Sequence, residues 1–489
     1  MLIILSDLHL NDGTTGEPLS PEAFVLFADR LRELAMTASW RSDGAYRPIE
    51  RIDIVLLGDT LDLLHSARWH VPQAPRPWDD PQSHALIDMI GKISGDVLAQ
   101  NQEALATLRA LATDGQIALP PMLRASRPAA SGDEQPVLVR IHYMVGNHDW
   151  FYHLPGEAYD ALRQKLVEQM GLANRADRPF PHDITESDEL LQTMRRHKVT
   201  ARHGDLFDPL SYEGDRDFSG LSDAIEVDLI GRFAIQVEQT LGHELPDAAV
   251  LALREIDQFR PLLLVPAWLD GMLDRTCPQP AVRKRVKQLW DRLAEELLSS
   301  RLVRERDALS SANLVDGLSQ ALRFSKRRST GWSAATLQWL RGLRGAEGDS
   351  FAAHALSEPD FRNRRAKHVV YGHTHAAEIV PLDASHAEGY VLEQIYFNAG
   401  TWRRTFRPAA FAPSAQEFIA SDAFGYLAFF QGDERKGRSF ESWTGTLGHV
   451  PGERTIHRID AGRGSLAGQR TMQPPHFASL LGNAKVARP

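Results

Sequence analysis

Cysteine is nearly missing from this chain: Cys277 is the only one in 489 residues. That excludes an intrachain disulfide framework and a thiolate metal site, and leaves Cys277 to the role of a small buried apolar residue. Long apolar runs are missing too. The richest stretch, residues 261–273, is too short to span a bilayer and carries Pro266 and Asp270. Neither sign of charge dominates, and a formal net charge of −9 gives no global nucleic-acid footprint. No internal repeat or extended low-complexity tract is present. Residues 1–5 already read as a strand, which leaves no room for a cleaved leader, so the expected location is cytoplasmic.

What remains is the composition of a globular protein, 43% hydrophobic and 24% charged, long enough for more than one structural unit. Apolar runs rich in β-branched residues occur at 2–5, 52–57, 137–145, 198–202, 367–371 and 394–397, and read as buried strands. Helical periodicity fills 21–38, 85–113 and 158–172. This alternation predicts an α/β fold, in which ligands gather at the carboxyl ends of strands.

Each of those apolar runs ends in a short polar cluster: Asp7-Leu8-His9, Gly58-Asp59, Gly146-Asn147-His148-Asp149, His203-Gly204-Asp205, Gly372-His373-Thr374-His375 and, more weakly, Asn398-Ala399-Gly400. One Asp or His at a strand end is ordinarily a turn or cap residue. Five such clusters in sequence reverse that expectation. Two aspartates, four histidines and an asparagine amide are oxygen and imidazole donors that suit Mn²⁺, Fe or Zn²⁺. Asp7, His9, Asp59 and His375 can serve one ion, and Asp59, Asn147, His203 and His373 a second, with Asp59 as the bridge. Two ions about 3.5–4 Å apart clamp a phosphoryl group and lower the pKa of a water between them. Two divalent ions, two aspartates and a bridging hydroxide leave roughly +1 of charge to meet an anionic phosphoester.

The ordered set D-x-H, G-D, G-N-H-D, H, G-H-T-H resembles the calcineurin-like metallophosphoesterase superfamily. The resemblance implies a four-layer α/β/β/α sandwich of two mixed sheets, two divalent ions with Mn²⁺ foremost, and a metal-bridging hydroxide as nucleophile. It also implies His148 as general acid, oriented by a carboxylate for which Asp7 and Asp149 are candidates. The expected activity is phosphoester hydrolysis, foremost as a phosphodiesterase or pyrophosphatase. The expected domains are a core over 1–210, interrupted at about 66–135, a helical insert or cap over 211–359, a second core part over 360–447 and a tail over 448–489.

In layout the chain is most similar to the UDP-diacylglucosamine hydrolase branch, which also carries a helical insert between the His203 and Gly-His-Thr-His positions. His148 stands where that branch commonly has arginine, and those enzymes are much shorter, so the cap architecture carries over and the substrate does not. Other readings are an SbcD-type nuclease, a phosphomonoesterase, and a catalytically inactive scaffold of the same fold, the last requiring lost ligands. Nucleic acid and a lipid-linked substrate both stay open as partners, and oligomeric state is undetermined.

Within the insert, Ile225, Leu229, Phe233, Val237 and Leu241 recur at helical spacing, as do Val282, Val286, Leu289, Leu293 and Leu297. Both stripes predict a small helical core. From 275 to 328, thirteen Lys and Arg against six Asp and Glu give a local net of +7, either a solvated face or a contact for a polyanion. A Pro- and Trp-rich loop with Trp69 and Trp78 follows Asp59 and could overhang the site. His65, His70, His84, His142, His153, His182, His197 and His368 lie outside any motif and are expected to be ordinary core or surface residues.

Overall fold

The computed structural model describes residues 1–123, 126–129, 133–212, 214–309, 314–324, 350–387, 390–408, 418–446, 454–457 and 469–472. They divide into two units, Met1–Gly445 and Thr446–Pro489. In the second unit, Arg454–His457 pairs antiparallel with Gln469–Met472. The rest of the expected tail lies outside the described residues.

The first unit is mixed α/β, as the alternation predicts. Among the described residues, nine strands carry its two larger sheets: β1 (Leu2–Leu5), β2 (Arg51–Leu57), β3 (Leu138–Met144), β4 (Val199–Ala201), β5 (His368–Tyr371), β6 (Glu378–Ala387), β7 (Tyr390–Asn398), β8 (Ala423–Phe429) and β9 (Phe440–Thr446). One sheet runs β9-β8-β1-β2-β3 and the other β4-β5-β7-β6. β1, β2 and β3 are parallel, with Leu5 opposite Leu56 and Leu57 opposite Met144. β4, β5 and β7 are likewise parallel, with Val199 opposite His368 and Tyr371 opposite Asn398. β8 and β6 run antiparallel to their neighbours. Leu2, Ile4, Val55 and Leu57 of the first sheet join Val199, Val370 and Phe397 of the second in one apolar cluster. The strands read from apolar runs are therefore buried by one another, and all five motif-bearing loops leave the carboxyl ends of parallel strands.

Helix Pro21–Ala38 matches its periodicity, with Pro21 in its first turn and Phe24, Phe27, Leu31 and Leu34 on its buried face. The helix expected over 85–113 is instead two, His84–Gln100 and Gln102–Thr113. Asn101 makes the break: its Nδ2 donates to Asn11 O and Val97 O, both at 2.8 Å, so a long-range carbonyl competes with helical continuation.

The described part of the insert is helical and has its own apolar cluster, which takes in both sequence stripes and the buried Cys277. A π-helical segment, Ile225–Gly231, lies between α-helices Leu221–Ala224 and Arg232–Leu241. Residues 325–349 of the insert lie outside the described residues. The basic helix Pro280–Leu298 spends much of its charge locally, pairing Arg283 with Asp274 at 3.4 Å, Arg285 with Glu244 and Lys287 with Asp270. Trp69 is buried with its indole N–H on Leu63 O at 2.7 Å, and Trp78 packs on the insert cluster. No helix among the described residues is long and apolar enough to cross a membrane.

Candidate metal centre

Backbone strain marks the site before any side chain is considered. Asp7, His9, Asp59, His373 and His375 all have positive φ, from 45° to 67°, a region that costs a non-glycine residue on the order of 1–3 kcal/mol. Two glycines allow the loops to close over one another. A Cβ on Gly146 would collide with Asp59 Oδ1 and the His203 ring, and one on Gly372 with Ser6 Oγ and Asp7 Oδ2. The first two loops are then laced together, Asp7 N to Gly58 O at 3.2 Å and His9 N to Asp59 O at 2.9 Å. Asn398 braces the Gly-His-Thr-His turn through Gly372 O at 2.8 Å, which accounts for the weak sixth cluster.

The seven expected donors form two adjoining groups that share Asp59. In the first, His375 Nε2 lies 3.0 Å from His9 Nε2 and 3.3 Å from Asp7 Oδ1, while His9 Nε2 is 3.7 Å from Asp59 Oδ2. In the second, Asp59 Oδ2 is 3.1 Å from His203 Nε2, and Asn147 Oδ1 is 3.3 Å from that nitrogen and 2.9 Å from His373 Nδ1. Clusters Asp7–His9–His375 and Asp59–His203–His373 each bring three ligand atoms within 4.8 Å of one another.

Three histidines have the outer contact that fixes a ligand's tautomer. His203 Nδ1 lies on Leu57 O at 2.9 Å, His9 Nδ1 on Asp62 Oδ2 at 2.9 Å, and His373 Nε2 on Asp208 Oδ2 at 3.1 Å. A proton on each of these outward nitrogens would leave the opposite nitrogen's lone pair facing the shared space. Asp7 Oδ1 is buried and accepts no hydrogen bond, an orphaned anionic oxygen aimed at His9 and His375. Orphaned acceptor, outer ring-nitrogen contacts and donor chemistry all fit a pair of divalent cations.

Burial by itself would raise Asp59, but the imidazoles of His203, His148 and His9 outweigh it and hold the carboxylate well below its usual range. Asp7, also buried, is held low by His203, His375 and His9. Burial disfavours a charged His148, yet Asp62 and Asp59 push it up to about 9.

Two expected roles are corrected by the geometry. The carboxylate on His148 Nδ1 is Asp62, at 3.0 Å, rather than Asp7 or Asp149. Asp149, expected to be catalytic, is fully buried and braces the turn: it accepts Gly146 N at 2.7 Å, Thr60 N at 2.9 Å and Tyr143 Oη at 2.5 Å. Burial and the neighbouring Asp59 raise it to about 6. His65, expected to be ordinary, lies between Asp62 Oδ2 at 2.7 Å and Glu226 Oε2 at 2.8 Å. Asp62 and His65 follow Asp59 at spacings of three and six, a D-x-x-D-x-x-H signal that the sequence offered. Asp208, Glu226 and Arg260 had none.

Above the donors lies a cleft, open to solvent, between the motif loops and the insert. Phe207, Leu210, Ile225, Leu262, Leu263 and Phe351 form its apolar walls, and among the described residues Arg260 is the only Arg or Lys that lines it. The Pro- and Trp-rich loop is not part of the lining. Arg260 N bonds Phe406 O at 3.0 Å and its Nη1 bonds Asp257 O at 2.6 Å, which directs Nη2 to 3.5 Å from His375 Nε2. No protein-family model and no curated protein matches the chain.

Proposed function

We propose that this chain is a dinuclear metal-dependent phosphoester hydrolase acting on phosphodiesters or diphosphates. The single observation that carries the reading is the convergence of seven oxygen and imidazole donors on two adjoining groups that share Asp59, with the outer ring nitrogens of His9, His203 and His373 on Asp62, Leu57 O and Asp208. Asp7, His9, Asp59 and His375 would hold one ion and Asp59, Asn147, His203 and His373 the other. The donor set suits Mn²⁺, with Fe and Zn²⁺ as alternatives. When bound, such a pair supplies Lewis-acid charge and an activated water.

The chain's own residues have separable tasks in this reading. Asp62 holds His148 Nδ1 and His148 lines the cleft, where as general acid its Nε2 would pass a proton to the departing oxygen. Arg260 would bind a phosphoryl oxygen by charge-assisted hydrogen bonds. The apolar walls would exclude water and accept an uncharged substituent. The two sheets that share an apolar cluster support the four-layer metallophosphoesterase sandwich as the scaffold.

An SbcD-type nuclease is the second reading. Among the described residues, a single cleft arginine, together with Arg283, Arg285 and Lys287 already paired to acids, favours a small phosphodiester or diphosphate over a polyanion. A Mn²⁺-supplemented screen decides between them, using bis-p-nitrophenyl phosphate, p-nitrophenyl phosphate, cyclic nucleotides, nucleoside diphosphate sugars, and single-stranded and duplex DNA. Turnover of the small diesters or diphosphates is expected. Preference for DNA would replace the reading with the nuclease, and inactivity on every substrate would remove it.

A further inference from the structure

Asp62 is the junction of a buried network that extends beyond the donors. Its Oδ1 takes His148 Nδ1 at 3.0 Å and His65 N at 3.1 Å; its Oδ2 takes His9 Nδ1 at 2.9 Å and His65 Nδ1 at 2.7 Å. Four donors on one carboxylate leave it little freedom to rotate. The far nitrogen of His65 meets Glu226 Oε2 at 2.8 Å. With a carboxylate oxygen on each ring nitrogen, His65 bridges Asp62 and Glu226. Its ring also stacks on that of His148, 5.5 Å between centroids.

Glu226 belongs to the insert. It sits in the π-helical segment Ile225–Gly231, where the wider turn departs from regular helix geometry, a feature frequent at functional sites. Glu226 is 2% exposed and nonetheless lines the cleft. A second tie lies beside it: Trp150 Nε1 donates to Asp223 Oδ2 at 3.2 Å, fastening the segment after Asn147 and His148 to the same stretch of insert. The insert thus grips both the loop that carries Asp62 and the loop that carries His148.

We propose that Glu226 is a positioning residue for proton transfer: through His65 it holds Asp62 in the orientation that aims His148 Nε2 at the leaving group, so that the insert completes the acid half of the site. This rests on the phosphoester hydrolase reading above. A purely fastening role predicts a general loss of stability and rate. A positioning role predicts a loss confined to leaving groups that need a proton.

The test uses the full-length protein with Mn²⁺ and paired diesters that share a transferred phosphoryl group and differ in the leaving group, p-nitrophenol against an aliphatic alcohol. Glu226→Ala should lose roughly tenfold more in kcat on the alcohol ester than on the p-nitrophenyl ester, with metal content unchanged. Glu226→Asp should recover part of that loss. An unchanged ratio between the two substrates overturns the proposal, whatever the absolute rates.

A second readout needs no turnover. The hydrogen-bonded His148 Nδ1 proton is identified as the downfield proton resonance that disappears in His148→Ala. Glu226→Ala should shift or broaden it, and an unmoved resonance overturns the proposal. If Glu226→Ala does not fold, Glu226→Gln, of the same size and without the charge, is read by both measurements. Wild-type inactivity on all phosphoesters would instead remove the hydrolase reading, and the proton resonance would still report whether Glu226 orients His148.

Discussion

Asn147 Oδ1 lies 2.9 Å from His373 Nδ1, although 226 residues separate the two in sequence. Their loops leave strands of different sheets, β3 and β5, and meet only because those sheets share an apolar cluster. His203 approaches the same amide oxygen at 3.3 Å, so one asparagine gathers two histidines around a common space.

Asp59 faces both groups, so Asp59→Asn should weaken two ion sites at once. The loss in metal affinity should exceed the roughly 10–100-fold that removal of an outer-shell partner costs. Elemental analysis and turnover should fall together, and two retained ions with normal activity would exclude the bridging assignment.

His148→Ala should lower the rate roughly 10²–10⁴-fold while both ions stay bound. The loss should shrink as the leaving group becomes more acidic. An equal loss for p-nitrophenol and for an aliphatic alcohol would argue against the acid role.

Arg260→Ala removes the only Arg or Lys that lines the cleft among the described residues, together with its 3.5 Å contact to His375 Nε2. Charge-assisted hydrogen bonds are worth roughly 1.5–3 kcal/mol, so kcat/KM should fall about tenfold to a hundredfold. Arg260→Lys should recover little where a planar fork is required. Unchanged kcat/KM in Arg260→Ala would place the phosphoryl group elsewhere.

Gly146→Ala tests the loop packing. Its methyl would press on Asp59 Oδ1 and the His203 ring. The expected cost is roughly 1–3 kcal/mol of stability, together with a loss of metal affinity. A thermal midpoint and metal content like those of wild type would show that the loops can separate.

Acid should destabilise the fold through histidines buried in the neutral form. Burial lowers His197 to about 3, aided by the terminal amine, and His368 to about 4, aided by Lys367. The unfolded chain takes up these protons near the ordinary value of about 6.5, so the contribution is present above that pH and is lost as pH falls toward 4. Each group is worth on the order of 2 kcal/mol by pH 4.5. His368 packs against Phe397, Phe429 and Phe440, so His368→Leu should flatten the dependence of the urea midpoint between pH 6.5 and 4.5. An unaltered slope would assign the acid sensitivity to other groups.

Much of the site could be read from local chemistry. The buried strands are apolar runs, the loops that end them carry the donors, and seven oxygen and imidazole ligands limit what those loops can hold. The Asp62 and His65 spacing was also legible, three and six residues past Asp59. By contrast, no local rule could divide one helical periodicity at Asn101, because its side chain answers to the carbonyl of Asn11, ninety residues away.

Tertiary structure decided which atom faces which. Asp149 stands next to His148 in sequence, yet the turn directs it to Gly146, Thr60 and Tyr143, and the partner of His148 is Asp62, 86 residues earlier. Glu226 and Arg260 carried no motif, since a helical stripe reports only the face that packs inward. Their approach to His65 and His375 follows from how the insert docks on the motif loops. Donor identity is a property of residues along the chain; proton placement, orientation and the cleft depend on long-range packing.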